Sequence, residues 1–279
     1  MLVYRTFEEL KSFLQEQVGL GKAIGFVPTM GALHDGHMSL VQKSKELAGI
    51  TICSIFVNPT QFNVSEDLEK YPRTEESDLK VLLKNDCDVV FIPSVDEVYP
   101  INYVSPRIEL GGIDLIMEGM GRPGHFDGVV QVVGRFFEQM NPDFSFFGEK
   151  DFQQLVVVEK MVKERNFKVK IVSCAIMREP SGLAMSSRNV RLSEAGLILA
   201  QEISTQLRKV KQQFTKKNTL EIEHQVKLFF NSHPDFKLSY FEIVDETFLL
   251  PFSNSGLKAR AIIAVELEGV RLLDNLSLN

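Results

Sequence analysis

Cysteine is scarce in this chain. Only Cys53, Cys87 and Cys174 occur among 279 residues, widely spaced and set in apolar stretches. An odd number in such surroundings is not the pattern of a disulfide framework or of a zinc site. We therefore expect three reduced thiols in the core.

Long apolar runs and an excess of basic charge are also missing. No stretch approaches the ~20 apolar residues of a membrane-spanning helix. Residues 1–20 lack the basic start and small-residue cleavage site of a signal peptide. A formal net charge of −6 would repel a phosphate backbone. We expect a cytoplasmic protein with neither nucleic acid nor membrane as partner, and this charge still allows a local nucleotide pocket.

The glycine-rich phosphate loops of common nucleotide-binding folds are absent too. The chain contains no G-x-x-x-x-G-K-[ST], and no G-x-G-x-x-G follows its first predicted strand. This absence argues against kinase-like and dinucleotide-binding proteins.

What is present, up to about residue 176, is an alternation of short β-rich runs with longer amphipathic stretches. Strands are predicted over 23–28, 50–57, 88–93, 144–147 and 169–176, and helices over 39–48, 74–85, 129–139 and 153–165. Such alternation is typical of βαβ units around a parallel sheet. It predicts an α/β fold, a Rossmann-like doubly wound parallel sheet.

The pattern changes after a predicted loop over 179–182. Helices are predicted over 194–213 and 220–231, and strands over 238–244, 261–267 and 270–272, with a turn at Glu268 and Gly269. Lys216 and Lys217 read as a solvated loop between the two helices. We expect a smaller α+β C-terminal domain over residues 177–279, after a catalytic domain over residues 1–176.

The first segment with chemical character is Pro-Thr-Met-Gly-Ala-Leu-His-Asp-Gly-His at 28–37, between a predicted strand and a predicted helix. In a doubly wound sheet, ligands bind where strand carboxyl ends meet helix N-termini, and such N-termini favour phosphate. His34 and His37 can both face such an anion, and Gly36 permits close backbone approach. The alternative, a zinc pair, would need further ligands, and no matching cluster is seen.

A second segment, Phe-Gly-Glu-Lys-Asp-Phe-Gln-Gln at 147–154, also joins a predicted strand to a predicted helix. Lys150 offers phosphate a compact positive charge, and Gln154 lies one helical turn further on. An ordinary helix N-terminus with acids in its first turn explains the segment equally well.

A third segment, Met-Ser-Ser-Arg-Asn at 185–189, follows the predicted domain boundary. Ser186, Ser187 and the Arg188 guanidinium would form a mobile clamp on triphosphate, where Arg188 meets charge developing on the leaving pyrophosphate. Taken alone, such a short Ser/Arg segment is also typical of an ordinary polar turn.

Together these segments resemble the pantothenate synthetase family, within the HxGH-containing superfamily of nucleotidylyltransferases and class I aminoacyl-tRNA synthetases. The resemblance is carried by PTMGALHDGH at 28–37, FVNPTQF at 56–62, YPRT at 71–74, RPGHFDGV at 122–129, FFGEKDFQQ at 146–154, REPSGLAMSSRN at 178–189, YFEIVD at 240–245 and RLLDN at 271–275. It extends over essentially the whole chain. It implies a homodimer whose C-terminal domain is a partial lid, and a ligase that joins pantoate to β-alanine through a pantoyl adenylate, with ATP as substrate and Mg²⁺ required.

The resemblance also implies roles for individual residues. His34, His37, Lys150 and Arg188 would be catalytic. The ATP site would comprise Met30, Gly31, Ala32, Leu33, His34, Asp35, Gly36, His37, Gly148, Glu149, Lys150, Asp151, Met177, Met185, Ser186, Ser187 and Arg188. Gln61 and Gln154 would hold pantoate, with Asn58 nearby in the substrate site.

Some alternatives stay open at this point. His125 either orients a loop near the site or satisfies a buried backbone carbonyl, and we favour the structural role. The metal ligands are unknown: Asp78 is a candidate, but a solvated helix face explains this acid equally well. The rival functions are a non-catalytic nucleotide-binding module and another HxGH enzyme that transfers a nucleotidyl group to a phosphate or an alcohol. The intact His34, His37, Lys150 and Arg188 argue against the first rival, and the two glutamines argue against the second.

Overall fold

The computed structural model describes residues 1–214, 218–253 and 256–279. The predicted loop at Lys216 and Lys217 lies outside the described residues. Contacts divide the chain into two compact units. Unit 1 comprises Met1–Gly148 and Val157–Ala175, and unit 2 comprises Glu149–Val156 and Ile176–Asn279.

Unit 1 is built on a six-stranded parallel sheet. Its strands are β1 (Leu2–Tyr4), β2 (Ile24–Thr29), β3 (Ile50–Ile55), β4 (Val89–Phe91), β5 (Phe144–Gly148) and β6 (Lys170–Cys174). They lie in the order β1-β4-β3-β2-β5-β6, with every neighbouring pair parallel. The chain runs outward from β2 through β3 to β4 and then returns to β5 on the other side of β2. The topological switch point therefore lies between β2 and β5.

Helices connect these strands. They are α1 (Phe7–Gly19), α2 (Asp35–Leu47), α3 (Ser65–Glu69), α4 (Glu75–Lys84), α5 (Val95–Val98), α6 (Met117–Gly121), α7 (His125–Met140) and α8 (Phe152–Glu164), the last of which starts in unit 2. Short 3-10 turns occupy Pro59–Gln61 and Ile113–Leu115.

Two consecutive residues of β2 show that helices cover both faces of the sheet. The Phe26 ring packs edge-on against Phe136 of α7 at 5.5 Å, on the face that α1 also covers. Gly25 faces the other way, because a Cβ built there would lie 2.2 Å from Ser44 Oγ of α2. Since successive strand residues point to opposite faces, α2 and α7 sandwich the sheet. The predicted doubly wound fold is confirmed.

The differences from prediction lie mostly at helix starts. Helix α2 begins at Asp35, earlier than the predicted residue 39, because His34 caps it. Helix α7 begins at His125 rather than at residue 129, after the left-handed Gly124. Strand β1 and helices α1, α3, α5 and α6 were not predicted.

Unit 2 is α+β, as predicted. It contains α9 (Glu194–Gln213), α10 (Thr219–Ser232), β7 (Phe236–Asp245), β8 (Ala259–Leu267) and β9 (Val270–Ser277), with 3-10 turns at Glu149–Asp151 and Asn189–Arg191. The three strands form an antiparallel sheet in the order β7-β8-β9. The prediction of α9 is confirmed at both ends.

The central strand β8 separates the two faces of this sheet. Ala261, Ile263 and Val265 lie in one core cluster with buried residues of α9 and α10. Arg260 points to the opposite face, which Asn275 of β9 shares, because Asn275 pairs with Ile262. Strand β9 extends beyond the predicted residues 270–272, since its polar Asp274 and Asn275 are buried with partners in unit 2.

The three cysteines are buried thiols, as predicted, and no disulfide joins any of them. Burial raises the pKa of the Cys87 thiol to about 11, and it raises that of Cys53 well above its usual range. Both thiols therefore stay protonated at neutral pH. None of the described helices is long and apolar enough to cross a bilayer.

Candidate active site

The predicted site residues fall into both units. In unit 1, the loop after β2 carries Met30, Gly31, Ala32 and Leu33, the start of α2 carries His34, Asp35, Gly36 and His37, the segment after β3 carries Asn58 and Gln61, and β5 ends at Gly148. In unit 2, the turn before α8 carries Glu149, Lys150 and Asp151, the first turn of α8 carries Gln154, and the segment before α9 carries Met177, Met185, Ser186, Ser187 and Arg188.

The two histidines of unit 1 cap helix α2 reciprocally. His34 Nδ1 accepts from the Gly36 N–H at 3.1 Å, and His37 Nδ1 accepts from the His34 N–H at 3.3 Å. Their rings lie 4.1 Å apart, tilted by 48°. Because each Nδ1 is an acceptor, each neutral ring carries its proton on Nε2. The pair therefore places two Nε2–H groups near a helix N-terminus, where the helix dipole favours an anion.

Asp78 of α4 holds the loop that leads to these histidines. Its carboxylate accepts from the Ala32 N–H at 3.0 Å and from the Leu33 N–H at 2.8 Å, and Thr74 Oγ1 donates to it at 3.2 Å. The loop needs this support because Gly31 and Ala32 are both left-handed, with φ of 82° and 51°. For alanine this conformation costs about 1–2 kcal/mol.

This contact corrects one interpretation of Asp78. The interpretation of Asp78 as part of a solvated helix face is wrong, because the residue is only 2% exposed. Its three hydrogen bonds engage both carboxylate oxygens in holding the loop. Prediction missed this role because the amides lie more than 40 residues away in sequence.

The predicted pantoate residue Gln61 is 7% exposed, and its amide group is oriented by its neighbours. Asn58 Nδ2 donates to Gln61 Oε1 at 3.1 Å, and Gln61 Nε2 lies 3.0 Å from Met30 Sδ. Asn58, 1% exposed, also donates to the Gly128 carbonyl and accepts from the Tyr99 hydroxyl at 2.8 Å. Burial raises the pKa of Tyr99 to about 12, so this hydroxyl is a donor at neutral pH. Asn58 thus fixes which way Gln61 points.

His125 supports the same turn through the backbone. Its Nδ1 lies 2.9 Å from the Gln61 carbonyl oxygen, and Arg122 Nη1 lies 3.1 Å from its Nε2. A carbonyl only accepts, so Nδ1 carries the proton and Nε2 accepts from Arg122. His125 satisfies a backbone carbonyl, as the favoured structural role has it, and because this carbonyl belongs to Gln61 the same bond also orients the turn that carries a predicted substrate residue.

Gly128 of α7 allows the turn at Gln61 to pack directly on the helix. A Cβ built on Gly128 would lie 2.5 Å from the Thr60 carbonyl oxygen and 2.6 Å from both Gln61 Cα and Gln61 N. These are backbone atoms, so a larger residue would displace the turn itself.

In unit 2, Lys150 and part of the predicted clamp line one cavity, together with Asn189 and Asp274. Ser186 is the residue of the predicted triphosphate clamp that lines this cavity. Asn189, the last residue of the 185–189 segment, has no predicted role. Its Nδ2 donates to the Ala184 carbonyl at 3.0 Å, and the residue is 9% exposed.

The segment before α9 doubles back on itself. The Met185 N–H donates to the Met177 carbonyl at 3.0 Å, and Gly182 turns the chain with a φ of 92°. Arg178 anchors the segment through a two-pronged contact with Asp274, at 2.7 and 2.8 Å. Met177 and Met185, both predicted to line the nucleoside site, are thus brought side by side.

Two acids next to Lys150 have partners of their own. Asp151 Oδ1 lies 3.6 Å from Lys150 Nζ. Glu149 Oε2 accepts from both terminal nitrogens of Arg260 at 3.2 Å. Direct contact of either acid with ATP stays a prediction.

The described residues do not supply a ready-made Mg²⁺ cage. Among them, no three His, Cys, Asp or Glu side chains gather as a metal-binding group. Asp78, the candidate from sequence, gives its carboxylate to the loop amides. Mg²⁺ often keeps several waters and binds substrate phosphates, so a complete protein cage is not required for its use.

The fold and the site of unit 1 define a class of protein. A doubly wound sheet places a helix N-terminus, capped by two imidazoles, after the strand that borders its switch point. That is the arrangement of an α/β protein that binds a phosphorylated ligand.

Comparison with known proteins narrows this class. The profile of the family described as pantoate-beta-alanine ligase matches residues 2–277. A pantothenate synthetase from Flavobacterium psychrophilum is 47% identical over 272 residues, which cover 96% of this chain and 95% of the relative. The crystal structure of pantothenate synthetase from Thermus thermophilus superposes with a TM-score of 0.93 at 37% identity, covering 100% of this chain and 99% of the other. The pantoate-beta-alanine ligase of Francisella tularensis, solved with beta-gamma ATP and beta-alanine, gives 0.83 at 34% identity, covering 100% and 98%.

The chain belongs to the pantoate-beta-alanine ligase family. The resemblance seen in the sequence is confirmed, and with it the predicted enzyme class, a ligase of pantothenate biosynthesis.

A first prediction concerns Asp78. Asp78→Asn keeps the shape but sets an NH₂ group against a backbone N–H, so the loop before His34 should shift. We expect pantothenate formation to slow about 10- to 100-fold, the scale for misplacing a reacting group by about 1 Å. Steady-state kinetics measure the change.

Asp143→Asn is the control, because Asp143 accepts a hydrogen bond from the Ile24 N–H at 2.7 Å at the other end of β2. A folded Asp78→Asn enzyme with the wild-type rate would contradict the role given to Asp78.

A second prediction concerns Gly128. Gly128→Ala should displace the turn at Gln61 and raise the KM for pantoate by about tenfold or more, with a smaller effect on the KM for ATP. The control is Gly134→Ala on the same helix, where the closest atom to the new Cβ would be Arg165 Nη1 at 2.6 Å, the end of a flexible side chain. Substrate-dependence curves for both variants make the comparison. Equal increases for the two substrates would argue against a link between Gly128 and pantoate.

Proposed function

We propose that this chain joins pantoate to β-alanine in two displacements, with ATP consumed to AMP and pyrophosphate. The observation that carries the proposal is the reciprocal capping of α2, which sets the protons of His34 and His37 on their Nε2 atoms. A pair of N–H donors at a helix N-terminus suits a phosphate whose charge grows during reaction.

In the first displacement, the pantoate carboxylate attacks the α-phosphorus of ATP in line with departing pyrophosphate. A carboxylate is already ionised at neutral pH, so this step needs no general base. The barrier comes from repulsion between anions and from the charge that builds on pyrophosphate. His34 and His37 donate to the phosphates, Lys150 and Arg188 offset the charge, and Ser186 and Ser187 supply further hydrogen bonds.

In the second displacement, the amine of β-alanine attacks the acyl carbon of the pantoyl adenylate, and AMP leaves. The amine attacks in its neutral form, so it must first lose a proton. Gln61 and Gln154 hold the pantoyl group, and Asn58 keeps the Gln61 amide oriented. Protection of the mixed anhydride from water favours attack by the amine over hydrolysis of the adenylate.

The remaining ATP residues have a nucleoside or backbone role in this proposal. They are Met30, Gly31, Ala32, Leu33, Asp35, Gly36, Gly148, Glu149, Asp151, Met177 and Met185. The Francisella tularensis ligase, solved as a complex with beta-gamma ATP and beta-alanine, supports ATP and β-alanine as substrates.

Mg²⁺ belongs to the proposal as an ion carried by the ATP phosphates. When bound there, it would neutralise part of their charge. No step is assigned to the ion, because the described acids do not form a cage for it. A homodimer in the cytoplasm, a catalytic domain over residues 1–176 and a lid over residues 177–279 are also parts of the proposal.

The order of the two displacements gives a direct test. Pyrophosphate should appear from ATP and pantoate alone, and the amide product should appear only after β-alanine is added. Pyrophosphate release that required β-alanine would contradict the adenylate. Release with a phosphate or alcohol acceptor instead of pantoate would favour the rival HxGH transferase.

The third prediction separates capping from catalysis at His37. His37→Ala should slow single-turnover pyrophosphate release by about 10²–10³-fold, the scale for losing one transition-state donor. His37→Gln retains a side-chain acceptor for the His34 N–H, as in a capping box. It should keep stability near wild type while release stays slow. Recovery of the rate together with stability in the Gln variant would assign the contribution of His37 to capping alone.

The fourth prediction concerns Arg188. Arg188→Ala should lower the rate of adenylate formation strongly and change ATP affinity much less, the pattern of an interaction that strengthens in the transition state. Arg188→Lys should recover only part of the loss, because a point charge does not replace a planar fork on phosphate oxygens. Single-turnover rates and calorimetric ATP titration measure the two effects. Parallel losses of rate and affinity would identify Arg188 as a uniform binding residue.

A further inference from the structure

A buried polar pair lies on the face of the unit 2 sheet opposite to α9 and α10. Arg260 of β8 is 5% exposed and Asn275 of β9 is 1% exposed. Buried guanidinium and amide groups are costly unless they are fully hydrogen-bonded. Neither residue belongs to the reaction proposed above, so their partners indicate what the pair does.

Asn275 binds the backbone of the turn that carries Lys150. Its Nδ2 donates to the Glu149 carbonyl at 2.7 Å and to the Lys150 carbonyl at 3.0 Å. Its Oδ1 accepts from Arg260 Nη1 at 2.6 Å. The guanidinium only donates and the carbonyls only accept, so the amide has one satisfactory orientation. Both amide hydrogens of Asn275 are committed to the Lys150 turn.

Arg260 holds the residues on either side of Lys150. Its terminal nitrogens both donate to Glu149 Oε2 at 3.2 Å, and its Nε donates to Glu246 Oε1 at 3.0 Å. Its guanidinium carbon lies 3.9 Å from the centre of the Phe152 ring. The turn is therefore fixed before, at and after Lys150 by two neighbouring side chains.

We infer that Asn275 is a positioning residue for Lys150, with Arg260 holding Asn275 in the required orientation. The inference rests on the proposed role of Lys150 in offsetting phosphate charge. A lysine ammonium sits on a flexible four-carbon stem, so its position depends on how firmly its backbone is held. The Lys150 side chain is 20% exposed and lines the cavity shared with Ser186.

The test uses Asn275→Asp, alone and combined with Lys150→Ala. The aspartate keeps the acceptor for Arg260 but loses both N–H donors and sets an oxygen against two carbonyls. In the enzyme that retains Lys150, we expect Asn275→Asp to slow pyrophosphate release about 10- to 100-fold and to change ATP affinity much less. In the Lys150→Ala background the same substitution should change the rate by no more than about twofold, since its effect acts through Lys150.

Two controls accompany this cycle. Asn85→Asp removes another amide donor from a backbone carbonyl, that of Val81 at 2.9 Å, in unit 1. It should leave the rate unchanged. Asn275→Ala, which adds no negative charge, should show the same dependence on Lys150, and thermal unfolding checks that each variant is folded.

A readout independent of activity separates this inference from the proposed function. The acetylation rate of Lys150 by acetic anhydride, measured by mass spectrometry relative to the other lysines, should change several-fold in Asn275→Asp and not in Asn85→Asp. An unchanged labelling rate, or an equal loss of pyrophosphate release with and without Lys150, would overturn the positioning role. A wild-type enzyme that released no pyrophosphate would refute the proposed function, and the labelling would still decide the role of Asn275.

Discussion

The hydrogen bonds from the Ala32 and Leu33 amides to the Asp78 carboxylate set the geometry on which the unit 1 site depends. Two successive left-handed residues would leave these N–H groups without partners inside the protein, and an unpaired buried amide costs about 1–3 kcal/mol. The Asp78 carboxylate accepts a hydrogen bond from each of the two amides, and these bonds also stabilise its negative charge. Because Asp78 lies on α4, the loop is tied to a helix that follows β3 in the chain. The direction in which His34 enters α2 is a consequence of that tie.

Much of this fold could be predicted from sequence because the apolar periodicity agrees with the final structure. Helix α9 was predicted at both ends since its buried Ala200, Ile203, Leu207 and Val210 recur at helical spacing. Strand β1 has only three residues, too few to show a pattern. Helix α1 does carry a local sequence signal, the capping box between Thr6 and Glu9.

The parts of the site that prediction missed are contacts between distant segments. A charged residue such as Arg260 within an apolar strand gives no local sign that it is buried, because its partner Glu149 lies 111 residues earlier. The same holds for Asp78, which reads as a solvated acid on its own helix. Prediction named the side chains with chemical character, His34, His37 and Lys150, but not the residues that hold their backbones.

These supporting contacts share one physical device. Asp78 binds the backbone N–H groups before His34, His125 binds the backbone carbonyl of Gln61, and Asn275 binds the backbone carbonyl of Lys150. In each case a buried polar side chain holds the main chain, and the predicted site side chain is not itself engaged by that bond. Such an arrangement restricts the backbone from which a side chain extends without using the polar atoms at the end of that side chain.

The placement of the cysteines makes thiol-modifying reagents specific for one of the two units. All three thiols belong to unit 1, and Cys53 and Cys87 are buried with raised pKa values, so alkylating reagents should reach them only when that unit opens. Unit 2 contains no cysteine, so the alkylating reagent would not label it. The rate of thiol alkylation under native conditions would thus report the opening free energy of the parallel sheet alone. Substrates that bind to closed unit 1 should slow it by mass action, giving a measure of their binding that needs no turnover.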